Sequence, residues 1–510
     1  MAGLSRAATH TFDDAVLRVQ TVCELSAAPV HAEFSTRALE RMTRGREVVE
    51  QCLASGVAVY GATTGIGSQK DVAVHVRERD AFGNRMIVSE ATQARGPAFP
   101  QAVVRGALVV LCHNLAKGRS GIRPLLGRAL LELLASPTLP EVRRECAFGV
   151  ADLTPLAQLA LPLIGRSLAA AASASGGGPT LTPNLTLAPK ESVSLIDNNS
   201  FALAEAALML RDAGDLLKAF DLAAAVACEG FRAGLAPHTA GGGTDAAGQS
   251  LTRAHLFALL EDSGLHAPGA ARFLQDPLSF RSITQVHGAA YETLTWATRQ
   301  VEAEINAAAD NPLVDLDRET MLPSASMVSV LPVLAIDSLR QALAKVTVTS
   351  HERSLKLQSP AFSGLPVGLA AEGAADGGIL SINLHYIGAA RLGTLTAAAS
   401  PVLLTYIGHT ADGVEDVSTL LPLAVTQTRE VIARAFELAV LEMIVGVWAI
   451  ARRGLAPSGL GRGPRLVYEA LLPMLHIGEE GTRIFDFAAI IERVETTRLV
   501  DRAFANDTLP

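Results

Sequence analysis

Apolar residues recur at helical spacing along most of this chain, and alternation of strand type is scarce. Thr11 precedes Asp13 and Asp14 and an apolar run to Val22, which predicts an N-cap and a first helix. Residues 56–70 are rich in Gly and Thr and predict a loop. Helical patterning resumes from about Val72 to Leu134 and again over 155–172, followed by a Gly/Ser/Pro loop at Ser173–Pro183. From about Ala188 it is long, with interruptions near Gly241, Pro268, Pro312, Pro323 and Pro360. There is no βαβ rhythm and no short repeat. The longest uncharged stretch, between Arg391 and Asp412, contains Gly393 and Pro401 and reads as a buried core helix, not a membrane span. An all-α fold follows, a bundle whose central helices are buried on most sides.

Composition sharpens this picture. The 510 residues are 49% hydrophobic but only 5% aromatic, so Ala and Leu, both strong helix formers, carry the apolar load. Only 18% are charged, which suggests surface buried between subunits. The net charge of -8, without a basic run, gives nucleic acid no electrostatic footprint. Cys23, Cys52, Cys112, Cys146 and Cys228 are scattered, and Met1 to Asp14 lacks an apolar leader, so a reducing, cytoplasmic setting is expected. HExxH, Walker and Rossmann motifs are absent, and Gly241-Gly242-Gly243 reads as a hinge or turn.

Four ordered segments carry chemistry. They are Val59-Tyr60-Gly61-Ala62-Thr63-Thr64-Gly65-Ile66-Gly67, Asp152-Leu153-Thr154-Pro155-Leu156-Ala157, Pro189-Lys190-Glu191-Ser192-Val193-Ser194-Leu195-Ile196-Asp197, and Gln275-Asp276-Pro277-Leu278-Ser279-Phe280-Arg281. Asp310-Asn311-Pro312-Leu313, Ser363-Gly364-Leu365-Pro366 and Glu415-Asp416 support them. Together the set resembles the histidine and aromatic amino-acid ammonia-lyases over roughly residues 55 to 420. The resemblance implies a long central helical bundle of the ammonia-lyase/fumarase-like type, assembled as a homotetramer with active sites shared between subunits. It further implies an N-terminal region, 1–190, bearing the Tyr60 loop, and a bundle and C-terminal region, 191–510, in one continuous architecture.

That family cyclises an Ala-Ser-Gly tripeptide into a methylidene-imidazolone (MIO), an electrophile that turns the substrate amine into a leaving group. The tripeptide should stand just before Asp152, where this chain has Gly149-Val150-Ala151. Valine has no hydroxyl to eliminate, so no MIO is expected there. Ala174-Ser175-Gly176 has the right composition but lies in the Gly/Ser loop, where nothing holds the backbone bent for cyclisation.

The resemblance assigns roles residue by residue. Tyr60 would be the general acid or base, and a phenol needs an external field to ionise near neutral pH. Arg281 would grip a carboxylate through its planar fork; the lesser alternative is an ordinary interhelical ion pair. Glu415 would line the pocket. Other positions depart from the family. Ser89-Glu90 replaces Ser-His, Asp197 replaces an asparagine, Leu278 replaces a tyrosine, and Ala325-Ser326-Met327-Val328-Ser329 lacks the usual asparagine and phenylalanine. Glu90, Asp197 and Glu415 would then surround one arginine, and clustered carboxylates raise one another's pKa. Such a pocket favours a cationic or hydroxyl-rich small molecule. Three carboxylates can bind a divalent ion, but no other feature supports a metal, and none is expected.

The expected function is a cofactor-free, lyase-type enzyme. It would carry out elimination, conjugate addition, cyclisation or isomerisation by general acid–base catalysis on a pre-activated substrate bearing a carboxylate or carbonyl. The alternatives are a non-catalytic homologue that binds a small molecule or protein, and a conventional ammonia-lyase using Ser175.

Overall fold

The computed structural model describes residues 9–92, 95–145, 147–167, 184–239, 246–370, 379–477 and 483–505. The fold is predominantly helical, as the patterning predicts, with four short two-stranded ribbons among the described residues. Contacts divide the chain into two discontinuous units. The first comprises Met1–Arg211, Ala297–Ala335 and Val402–Thr426, and the second Asp212–Trp296, Ile336–Pro401 and Gln427–Pro510. The helices Ser200–Phe231, Ile283–Asn306, Val330–Gln358 and Leu421–Arg452 contribute residues to both, which is why no single cut separates them.

The first unit packs shorter helices. Thr36–Ala54 starts at Ser35, whose hydroxyl accepts from the Ala38 N–H at 3.1 Å, an ordinary N-cap. Pro124 opens Pro124–Ala135, where its missing N–H costs nothing. Gln101–Leu115 is buried at every position from Val103 to Leu115. Its Arg105 donates to the carbonyls of Leu134 (2.6 Å) and Ser136 (3.2 Å), satisfying the end of a neighbouring helix.

Three local expectations are corrected. His10–Phe12 is a strand, paired in parallel with Ala32–Phe34, and Asp13 Oδ1 accepts from the Ala15 N–H at 2.7 Å in a local turn. The first helix therefore begins at Val19, because the acidic side chain satisfies the backbone in a turn. Residues 70–75 are non-helical, with Ala73 bridged to Thr64, a 3-10 turn follows at Val76–Glu78, and the next α-helix starts at Arg79. The uncharged stretch after Arg391 is not a buried core helix. Ile379–Ala398 ends ahead of Pro401, and Leu404 and Tyr406 are 90% and 84% exposed. Among the described residues no helix is long and apolar enough to cross a membrane.

In the second unit, buried polar groups join helices. Asp221 pairs with His255 Nδ1 (2.8 Å), His287 Nδ1 (2.7 Å) and the Tyr291 hydroxyl (2.9 Å). Arg353 and Glu442, both fully buried, pair at 2.5 Å. Ala174-Ser175-Gly176 and Gly241-Gly242-Gly243 lie outside the described residues.

Candidate active site

The predicted loop at 56–70 is observed, and its glycines shape it. Thr63 folds back on Val59: its N–H donates to the Val59 carbonyl (2.8 Å), and its Oγ1 accepts from the Val59 N–H (2.7 Å). Gly61 has φ +68°, and a Cβ there would meet Val193 Cγ2 at 2.2 Å. The Tyr60 loop thus rests directly on the helix Glu191–Ile196, which ends at Asp197. The Gly67 N–H donates to the Tyr60 hydroxyl at 2.9 Å.

Glu191–Ile196 is itself pinned. Glu191, fully buried, takes both arms of Arg123 (2.9 and 2.7 Å) and the backbone N–H groups of Arg123 and Ala188. Lys190, also buried, donates to Asp310 (2.8 Å), Ser194 Oγ (2.8 Å) and the Ser120 carbonyl (3.1 Å).

The segment before Asp152 is sharply bent. Gly149 and Ala151 both have left-handed backbone, φ +88° and +66°, on either side of Val150. The bend is held from outside. The Thr419 hydroxyl donates to the Gly149 carbonyl at 3.0 Å, the Leu420 N–H to the Phe148 carbonyl at 3.1 Å, and the Asp152 N–H to the Asn198 carbonyl at 2.8 Å. The Asp152 carboxylate accepts from the Ala202 N–H (2.8 Å) in the first turn of Ser200–Phe231, where negative charge is favoured. Burial nonetheless pushes Asp152 up to about 7, against the Ala202 and Phe201 N–H donors.

These elements enclose a cavity of about 1020 Å³ whose lining belongs wholly to the first unit. Tyr60, Glu90, Val150, Asp197, Met327 and Glu415 all line it, so six of the predicted site residues converge. Gly149 and Ala151 flank Val150 in sequence. Arg281 and Leu278 belong to the second unit, where Arg281 Nε donates to the Asp276 carbonyl at 2.7 Å and Leu278 is 67% exposed.

The electrostatics are acidic. Burial raises Tyr60 above the ordinary phenol range, and Asp197 and Glu415 raise it further, against the Gly67 N–H. The phenol is therefore a proton donor at neutral pH, not the ionised base that a favourable field would give. Burial also raises Glu90, with Glu415 adding to it. Asp197 is held well above the carboxylate range by burial, then by Asp310 and Glu415, with Lys190 opposing. A protonated Asp197 offers one donor and one acceptor, the same complement as an asparagine side chain. Glu415 accepts from the Thr410 hydroxyl at 2.6 Å. Among the described residues no group of three or more His, Cys, Asp or Glu is placed to hold a metal ion.

Sequence reasoning quoted Lys190 and Asp310 without giving them a role, and it missed Thr419 altogether. The charge of Lys190 inside an apolar segment was the available signal; an isolated threonine offers none.

A profile of the family described as aromatic amino acid lyase matches residues 17–472. A histidine ammonia-lyase of Stigmatella aurantiaca is 30% identical over 502 residues, 96% of this chain and 97% of that protein. One from Symbiobacterium thermophilum is 30% identical over 481 residues, 90% of this chain and 92% of that protein. Among solved structures, the ergothioneine-degrading ergothionase of Treponema denticola superposes with a TM-score of 0.87 at 21% identity, covering 98% of this chain and 100% of that one. The tyrosine aminomutase of Streptomyces globisporus gives 0.85 at 22%, covering 98% and 99%. With the fold, the ordered motifs and these matches in agreement, the chain belongs to the aromatic amino acid lyase family.

Proposed function

We propose that this family member is a lyase-type enzyme that works without MIO, by general acid–base catalysis, on a small pre-activated substrate bearing a carboxylate or carbonyl. The observation that carries this reading is Val150, which lines the cavity from the bent backbone at the tripeptide position. Its side chain holds no hydroxyl from which a methylidene could be eliminated, so the residues present do not fit the group. Tyr60 and four carboxyl groups, those of Glu90, Asp197, Glu415 and Asp416, still line the same cavity. Glu415 takes a proton from carbon beside the substrate carbonyl, the Tyr60 phenol donates a hydrogen bond to the developing oxyanion, and Asp197 and Met327 position the substrate body. Losing one such oxyanion donor costs roughly 10²–10³-fold in kcat. Replacing Tyr60 by Phe should therefore remove turnover of any substrate the protein accepts, measured as kcat with binding retained; undiminished turnover would sink the assignment.

A conventional histidine or aromatic amino acid ammonia-lyase is the second reading, favoured by the function that the 30%-identical relatives are named for. Intact mass with ultraviolet difference absorbance separates the two. A mass short by two waters supports the conventional enzyme, and a complete mass supports the cofactor-free one.

The assembly belongs to the same proposal. We place Arg281 and Leu278 in active sites completed by neighbouring copies of a cytoplasmic homotetramer. Leu404 and Tyr406, almost fully exposed in the single chain, are suited to burial between copies. Light scattering that finds a monomer would contradict this.

A further inference from the structure

Three arginines of the second unit gather where two helices end. Arg453 Nε donates to the Gly230 carbonyl (2.6 Å), in the last turn of Ser200–Phe231. Its Nη2 donates to the carbonyl of Ser363 (2.5 Å), the last residue of Pro360–Ser363. Arg272 Nη1 donates to the neighbouring carbonyl of Phe362 (2.9 Å), and the Arg272 N–H to the Arg232 carbonyl (3.2 Å). Gly364, with φ +64°, makes room for this arrangement: a Cβ there would stand 2.5 Å from Arg272 Nη2. The Arg232 side chain is partly buried, and among the described residues its guanidinium has no hydrogen-bond partner.

Their charge is not balanced. Among the described residues none of Arg232, Arg272 and Arg453 forms an ion pair. A helix end supplies at most roughly half a negative charge, so two ends fall short of three cations. Arg232 acts through space on Glu229, and Arg272 on Asp276. Both carboxyls are engaged elsewhere, Glu229 by the Ser263 hydroxyl (2.6 Å) and the Gly461 N–H (2.8 Å), Asp276 by the Gly234 N–H (2.7 Å). Burial raises both, which weakens them as counter-charges. Burial, then Arg272 and Arg232, pulls Arg453 down to about 10, as expected of a cation crowded by like charge. A partly desolvated charge without a partner is costly, and an anion would relieve it.

We infer that Arg232, Arg272 and Arg453 form a binding site for a phosphate dianion, either free or as the phosphoryl group of a small monoester. The whole Arg232 fork, Arg272 Nη2 and Arg453 Nη1 remain available as donors, and guanidinium N–H groups match phosphate oxygens two at a time. Phe273, whose ring centroid lies 5.0 Å from Arg272 Cζ, and Phe362 border the cluster; each is 38% exposed, which offers apolar surface to the organic part of a monoester. None of the three arginines lines the cavity of Tyr60 and Glu415. The cluster is also distinct from Arg281, whose Nε is taken by the Asp276 carbonyl.

The test is calorimetric titration of the unaltered full-length protein with inorganic phosphate and with phenyl phosphate. It is run at mildly alkaline pH, where both are dianions, with ionic strength held constant by potassium chloride. One saturable site per chain is expected. Arg232→Gln should weaken it at least about tenfold, because a charge-assisted donor pair is lost. Arg281→Gln should leave it within about twofold. Melting curves and light scattering check that both variants fold and assemble like the unaltered protein. If Arg232→Gln does not fold, Arg232→Lys takes its place; it keeps the charge, loses the fork, and should bind phosphate several-fold more weakly. Tighter binding of phenyl phosphate identifies a monoester as the ligand, and equal binding identifies free phosphate. Absence of saturable binding, or unchanged affinity in the Arg232 variant, overturns the inference. So does a loss in Arg281→Gln as large as that in Arg232→Gln, which would place the anion at Arg281 instead. Dissociation of a folded Arg232→Gln would overturn it too, because the cluster would then serve a neighbouring copy of the chain.

Discussion

The Thr419 hydroxyl donates to the Gly149 carbonyl oxygen at 3.0 Å, so the carbonyl that precedes Val150 is polarised and fixed by a residue 270 positions away. With φ values of +88° at Gly149 and +66° at Ala151, the backbone keeps a bend that side-chain-bearing residues adopt rarely. The geometry of the tripeptide site is thus separable from its chemistry.

Val150→Ser tests that separation. In this variant the Ala151 nitrogen can attack the Gly149 carbonyl carbon, losing one water, and the serine hydroxyl can leave as the second. The expected outcome is an intact mass short by two waters with new ultraviolet difference absorbance. An unmodified variant would mean that the bend is too open or that the Ala151 methyl obstructs closure, and Val150→Ser/Ala151→Gly distinguishes these.

Gly61→Ala should uncouple the Tyr60 loop from the helix beneath it. A Cβ at residue 61 would stand 2.2 Å from Val193 Cγ2, in a left-handed backbone that already disfavours alanine. The global fold should survive, because the collision is confined to one loop. We expect far-ultraviolet circular dichroism close to the unaltered protein with kcat reduced by roughly 10²-fold, the scale of a small misplacement of a catalytic group.

Lys190→Met removes the cation paired with fully buried Asp310. Breaking one side of such a pair costs about 3–5 kcal/mol, whereas replacing both partners costs far less. Urea unfolding should show a large loss for Lys190→Met and recovery of most of it in Lys190→Met/Asp310→Leu. Equal losses in the two variants would show that the lysine stem, not the ion pair, matters.

Asp152 makes stability depend on pH. Burial raises it from 3.8 to about 7 in the folded chain, so the folded state binds the proton more tightly. Its contribution is complete below the unfolded value near 3.8 and is lost as pH rises through about 7. At about 1.4 kcal/mol per unit, the loss is on the order of 4 kcal/mol. Asp152→Asn cannot titrate, so its melting temperature should fall less between pH 4 and pH 8 than that of the unaltered protein. Parallel curves would assign the dependence to another group.

Much of this was legible in residue order. The helical fold followed from periodicity, and six cavity residues followed from motifs, because both signals are local in sequence. What escaped was non-local. Thr11 looks like a helix N-cap until the strand pairing of His10–Phe12 is known. An uncharged run looks buried until Leu404 and Tyr406 are seen exposed. The state of Tyr60 depends on Asp197 and Glu415, which the chain brings to it from far away.

The hydrogen bonds that hold the bend at 149–151 run between backbone groups and the Thr419 hydroxyl, and none of them uses the Val150 side chain. Position 150 is therefore an interchangeable fitting in a rigid mount. A serine can be lost there without unfolding the protein, and a lineage that loses it retains a shaped, acid-lined chamber on which selection can act for other reactants.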